Sequence, residues 1–297
     1  MLGLDPDPAR LWPRALELAD AAPRRADGDG PPERAGRAVA AHCRLLLDAA
    51  GEACVAVKPQ VACFERLGAP GWAALAEVIA DARDRGLIVI ADAKRGDIDI
   101  SARAYGQAFF GGTPSPFGTL PGLGADLLTA SPLLGRDSLA ALLEEARAAG
   151  GGLLVLVRTS NPGARDVQDR PLATGGGSVS DALAELVDEL GRPGIGAAGL
   201  SDVGAVVGAT AAEHLSRLRA RMGTAIMLLP GVGAQGASGA GLEPAFAPGP
   251  AGGLVSASRA IVYASETATG AAARDPAAAA GAEARRLREL LWGQYGG

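Results

Sequence analysis

The chain has 297 residues, 48% of them hydrophobic, and a formal net charge of −5. That is enough to bury a large core, and it leaves no basic footprint for nucleic acid. No apolar run reaches the roughly 18 residues of a membrane helix, and MLGLDPDPARLWPR lacks the basic start and apolar stretch of a secretory signal, so a cytoplasmic protein is expected.

In chain order, MLGLD (1–5) reads as a first strand and ACVAV (53–57) as a second, leading into Lys58. LIVIA (87–91) runs into Asp92, ADLLTAS (125–131) follows, and LLVLV (153–157) runs into Arg158. VGAVVGAT (203–210), AIMLLP (225–230) and GLVSAS (253–258) complete the set. Amphipathic stretches near 35–50, 70–85, 99–110, 137–149, 179–190, 211–221 and 279–293 alternate with them as helices. Strands so uniformly apolar are buried on both faces, as in parallel sheets. Eight such units in one domain point to an α/β fold, a (β/α)8 TIM barrel, with a doubly wound sheet as the alternative. The Gly/Pro-rich stretches 111–124 and 236–253 read as loops or lids, and 20–34 as a mobile excursion after the first strand.

Polar residues gather just after the strands: Asp5, Lys58, Asp92 with Lys94, Ser131, Arg158 to Asn161, Thr210, Gly231 to Gly236 and Arg259. In a barrel these positions share one rim, where active sites sit. Of 28 basic residues only Lys58 and Lys94 are lysine, and both lie at the end of an apolar strand-like run. Lys supplies a compact ammonium that can pass on a proton near neutral pH, which Arg cannot. Strand alternation sends Asp92 and Lys94 to the same side, with Asp97 at the following turn and Lys58 beside Asp92. The result is an alternating row, Lys58, Asp92, Lys94 and Asp97, with Lys94 placed as a proton donor. Asp99 has no evident place in it.

GVGAQG (231–236) matches GxGxxG after a strand, but the Gly/Ala/Pro-rich sequence that follows does not fit a dinucleotide-binding helix. As the loop after strand 7 it instead suits a phosphate, with Gln235 donating an amide and Arg259 a guanidinium fork. The RGD tripeptide at 95–97 reads as part of the charged row rather than as an adhesion signal. His42 and His214 have no Ser or Cys partner spacing and read as structural. Cys43, Cys54 and Cys63 are odd in number and lack CxxC spacing, which fits reduced thiols. No metal-ligand cluster is present in the pattern, and the lysines near Asp97 and Asp99 would repel a divalent ion.

DAKRGDI (92–98), preceded by VKPQVACFE (57–65), resembles the orotidine 5′-phosphate decarboxylase family, in its longer bacterial subfamily known as type 2. LGLDPDP (2–8), LLTASPLLG (127–135), VRTSNPG (157–163), VGAVVGAT (203–210), LLPGVGAQGA (228–237) and SASRAIVYAS (256–265) continue the resemblance in the family's order. It implies a cofactor-free and metal-free carboxy-lyase of pyrimidine biosynthesis, converting orotidine 5′-monophosphate to UMP and CO2. It further implies a homodimer with shared sites. Lys94 would protonate C6, Asp92 would face the substrate carboxylate, Lys58 would hold the network and Asp97 would reach the neighbouring subunit's site. Asp5 corresponds to a ribose ligand, Ser160 to a pyrimidine-recognising serine, Gln235 and Arg259 to phosphate ligands, and Ile98 joins the substrate-binding set. The other readings are a metal-dependent sugar-phosphate decarboxylase or aldolase of the same barrel group and a non-catalytic nucleotide-phosphate-binding barrel. Lys58 stands where the metal enzymes carry an acidic ligand.

Overall fold

A computed structural model describes residues 1–23, 29–209, 212–231 and 241–296. Its strands are β1 (Leu2–Leu4), β2 (Ala56–Pro59), β3 (Ile88–Arg95), β4 (Leu127–Ala130), β5 (Gly152–Arg158), β6 (Val203–Val207), β7 (Met227–Pro230) and β8 (Gly253–Ser256). Between β1 and β3 lie helices α1 (Pro13–Ala21), α2 (Pro31–Ala50), α3 (Val61–Glu65) and α4 (Ala69–Asp84). Then come α5 (Asp99–Phe110), α6 (Arg136–Ala148), α7 (Ala164–Val167), α8 (Val179–Gly191) and α9 (Ala212–Arg221). The chain ends with α10 (Arg259–Val262), α11 (Ala264–Thr267) and α12 (Pro276–Tyr295).

The strands join one sheet in chain order, β1 to β8, and the pairings are parallel. A doubly wound sheet would reverse direction at a switch point and break that order. The order is that of the (β/α)8 fold, as the alternating pattern of the sequence predicts. Strands β1, β2 and β6 are buried at every position, which is why their sequences show no polar alternation.

The chain packs as two compact units. The first comprises Met1–Ala93, Leu123–Ala125 and Ser258–Glu289, and the second the described residues of Lys94–Gly122, Asp126–Ala257 and Leu290–Gly297. In the first, Leu2, Leu4, Leu46, Leu47, Phe64, Leu75 and Ile79 are fully buried. Trp12 ties the segment after β1 into place: its backbone N–H donates to His42 Nδ1 at 3.2 Å and its indole to the Val262 carbonyl at 3.2 Å. Burial pushes His42 down to about 4, so the neutral imidazole serves as the acceptor. The expectation of a structural His42 fits this geometry.

The core of the second unit includes Phe109, Leu128, Leu139 and Leu142. It also holds a buried cation, Arg219, whose guanidinium donates to the carbonyls of Ala225 (2.7 Å), Ala245 (2.7 Å), Met222 (3.0 Å), Pro244 (3.1 Å), Gly223 (3.2 Å) and Gly252 (3.2 Å). Without a carboxylate among those partners, burial lowers its pKa to about 10.

Several boundaries differ from those the sequence suggests. Pro13 at the first helical position, with Ala15 and Ala19 buried four residues apart, starts a helix, α1, that composition does not announce. The excursion expected over 20–34 is helical at both ends, since α1 runs to Ala21 and α2 begins at Pro31; residues 24–28 lie outside the described chain. A 3-10 turn over Gly51–Ala53 closes α2 and delays β2, so Lys58 sits inside the strand rather than after it. The 111–124 stretch carries a Thr113–Leu120 bridge, with the Ser115 hydroxyl donating to the Gly118 carbonyl at 2.6 Å. Of the 236–253 stretch, 236–240 lie outside the described residues, and Glu243–Phe246 and Pro250–Gly252 form 3-10 turns.

Candidate active site

In the first unit, the expected meeting of Lys58 and Asp92 is present. Lys58 Nζ lies 2.5 Å from Asp92 Oδ2, and the two side chains are 8% and 9% exposed. Adjacent parallel strands produce this: Val57 of β2 registers with Val89 of β3, so the ends of the two strands run side by side. Gln60 adds a third group, its Nε2 donating to the same Asp92 oxygen at 3.1 Å while its backbone bridges to Asp92. A carboxylate buried this deeply requires such donors, since desolvation of an unpaired charge is costly. Sequence reasoning missed Gln60, although it lies two residues beyond Lys58 and β2 ends between them, a spacing that keeps strand side chains on one side. Asp5, just after β1, and Arg259, the first residue of α10, are both exposed.

In the second unit, Lys94 is an exposed side chain on a left-handed backbone, φ +50°. Strict strand alternation therefore ends there, and the two-residue period that groups Asp92 with Lys94 does not by itself fix where Lys94 points. A non-glycine residue in this region costs on the order of 1–2 kcal/mol and must be held by its surroundings. Two bonds from the β4 end hold it: Lys94 N–H donates to the buried Thr129 Oγ1 at 2.9 Å, and Ser131 N–H donates to the Arg95 carbonyl at 2.8 Å. Sequence reasoning did not single out Thr129, because a threonine inside an apolar strand has no visible partner.

Asp97 is half-buried, its carboxylate accepting from Ile98 N–H at 2.8 Å and its carbonyl from the Ser138 hydroxyl at 2.6 Å. Ile98 is 50% exposed. Asp99 opens α5 with φ +43°, and Asp is one of the few residues that tolerates that region. Its carboxylate is exposed, so its place in the charged stretch is explained by the turn into α5 rather than by the charge row.

Ser160 lies in the turn after β5, half-buried. Arg158, at the end of β5 before Thr159, is 7% exposed and forms a two-pronged pair with Asp169, Nε to Oδ1 at 2.8 Å and a terminal nitrogen to Oδ2 at 3.0 Å. The Arg158 hydrogen bond holds the Asp169 carboxyl below the ordinary range. Gln235 falls outside the described residues, as does Thr210. Among the described residues no group of three or more His, Cys, Asp or Glu could hold a metal ion, no helix is long and apolar enough to cross a membrane, and Cys43, Cys54 and Cys63 are free.

A family model described as orotidine 5′-phosphate decarboxylase / HUMPS matches residues 37–274. The chain belongs to this family. It is 44% identical over 225 residues to the orotidine 5′-phosphate decarboxylase of Rhodopirellula baltica, covering 75% of this chain and 72% of that one. Identity to the Haloarcula marismortui enzyme of the same name is 38% over 296 residues, 98% and 92% of the two chains. Among solved structures, Leishmania donovani OMP decarboxylase superposes with a TM-score of 0.70 at 32% identity, covering 98% of this chain and 93% of that one. The Plasmodium berghei orotidine 5′-monophosphate decarboxylase reaches a TM-score of 0.76 at 15% identity, a likeness of fold.

Proposed function

We propose that this chain is an orotidine 5′-phosphate decarboxylase, converting orotidine 5′-monophosphate to UMP and CO2, the last step of de novo UMP synthesis, without a cofactor. The buried Lys58–Asp92 pair, one residue before the Ala93–Lys94 step of the same strand β3, carries the reading in a member of this family. Neither the metal-dependent alternative nor the non-catalytic one is supported by the relatives.

The chemistry follows from the charges. The bond between C6 and the carboxylate carbon breaks, CO2 leaves, and the electron pair stays on C6. The Lys94 ammonium stabilises that developing charge and gives C6 its proton; solvent then restores the ammonium. Asp92, fixed by Lys58 and Gln60, faces the departing carboxylate. Two carboxylates about 4 Å apart repel by about 4 kcal/mol at an effective dielectric of 20, worth about three decades of rate when relieved. Asp5 holds the ribose, Ser160 reads the pyrimidine with Ile98 beside it, and Gln235 and Arg259 take the phosphate. That phosphate is remote from C6, so its binding energy serves the reacting centre.

We further read the chain as a homodimer in which Asp97 completes the partner's site. Ile98, Ile100, Leu133 and Leu134 are 50%, 84%, 83% and 50% exposed. The Ser138–Asp97 and Ser131–Arg95 hydrogen bonds bring their two segments together, so the apolar residues flank Asp97 on a face suited to a second copy.

Incubation with orotidine 5′-monophosphate, followed by pyrimidine absorbance, tests the reading. Conversion to UMP that persists in EDTA is expected; UMP binding without turnover would favour a binding protein, and loss of activity in EDTA would favour the metal enzyme. Mixing inactive Asp97→Ala and Lys94→Ala chains should restore activity, and verified heterodimers without recovery would count against shared sites.

A further inference from the structure

The turn after β5 is braced on three sides. Strand β5 shifts register between Leu156 and Arg158, so Arg158 rather than Val157 lies opposite Val207. Irregularities of this kind re-aim the side chains at a strand's end. The shift turns Arg158 onto Asp169, and its guanidinium also donates to the Thr159 carbonyl. Gln168 takes the other side of the same residue: its Oε1 accepts the Thr159 N–H at 2.8 Å and the Thr159 hydroxyl at 3.2 Å. The Gln168 N–H is anchored in turn on the Ala164 carbonyl at 2.7 Å.

The third side is backbone. Gly208 N–H donates to the Arg158 carbonyl at 2.8 Å, and a Cβ at Gly208 would come within 2.7 Å of both Cα and Cβ of Ser160. Any larger residue there would push Ser160 out of place. Both backbone polar groups of Thr159, the residue immediately before Ser160, are therefore fixed by side chains: Gln168 accepts the Thr159 N–H, and the Arg158 guanidinium donates to the Thr159 carbonyl. Ser160 itself stands against Gly208. Each of the three Arg158 guanidinium nitrogens donates into this bracket.

We infer that Gln168 and Asp169 are positioning residues that set the Ser160 hydroxyl for recognition of the pyrimidine base, an inference that rests on the base-reading role proposed for Ser160. They touch the turn, not the substrate, and act on the base portion of the ligand while leaving the ribose and phosphate contacts alone. Selectivity for a base follows from such a bracket because a hydrogen bond is worth most when its donor is already in place.

Calorimetric titration with UMP and with ribose 5-phosphate, which lacks the base, separates the possibilities. In Gln168→Leu the Kd for UMP should rise about tenfold, the scale of one well-placed hydrogen bond, while that for ribose 5-phosphate stays within about twofold. Asp169→Asn, nearly isosteric and therefore safe for folding, should show the same split more weakly, and Gln168→Glu, which keeps the acceptor, should restore UMP binding. Equal weakening toward both ligands, or unchanged UMP binding in both variants, would overturn the inference while leaving the proposed function standing. If the unmutated protein binds UMP no tighter than ribose 5-phosphate, the base-reading role of Ser160 fails, and this inference with it.

Discussion

Two buried cations are held in opposite ways. Lys58 sits against a carboxylate, 2.5 Å from Asp92, at the ends of two adjacent strands. Arg219 sits among six backbone carbonyls in the stretches that flank β7 and precede β8. A guanidinium spreads its donors over many acceptors and stitches separate loops together, which suits a brace. A compact ammonium beside a fixed carboxylate concentrates charge at one point, which suits chemistry. Burial of a charge is therefore not a sign of catalysis in itself; the nature of the partner decides.

Removing each cation should break the two regions differently. Lys58→Met removes the ammonium that meets Asp92 at 2.5 Å and should lower turnover about a hundredfold or more, the usual scale for a lost catalytic electrostatic group. Steady-state kinetics on the folded variant would show it, and near-normal turnover would place Lys58 with Arg219 as a brace. Arg219→Met strands several carbonyls and should cost roughly 3 kcal/mol in urea unfolding, with no comparable loss of turnover per folded molecule. A variant that stays stable but loses activity would reverse the contrast.

A different buried base supplies a pH dependence. His42 is 1% exposed, and its folded value of about 4 lies below its ordinary 6.5. As pH falls the unfolded chain therefore takes up the proton first. The stabilisation is complete above about 6.5 and is lost between about 6.5 and 4, by on the order of 3 kcal/mol. Urea midpoints measured across this window should fall with pH, and His42→Gln should flatten the slope. A smaller effect is expected at Thr129, whose hydroxyl holds the strained Lys94 backbone. Thr129→Val keeps the shape and should slow turnover about tenfold, as one lost buried hydrogen bond would. UMP affinity should be unchanged; an equal fall in affinity would mean the site as a whole had loosened.

Much of this was legible in the residues. Uniformly apolar runs spaced by amphipathic stretches were enough to name the strands and their parallel pairing, because burial on both faces leaves that pattern. The survival of Lys58 and Lys94 in an arginine-rich chain marked the charged strand ends. Other features were invisible for physical reasons. Helix α1 is short and rests on two buried alanines, too weak a stripe to stand out. Thr129 and Gln168 acquire meaning only when the fold sets them against Lys94 and Thr159. Asp99 looked like an unexplained charge, yet its φ of +43° makes it a conformational residue whose charge is incidental.

Lys94 carries the proposed chemistry most directly. Turnover of orotidine 5′-monophosphate and affinity for UMP should be measured side by side in Lys94→Ala. Abolished turnover with UMP affinity within about an order of magnitude of the unmutated protein is the predicted result, since the lost group acts on C6 as its carboxylate departs rather than on the bound product. A substantial residual rate would contradict Lys94 as the proton donor and with it the chemistry assigned to the end of β3.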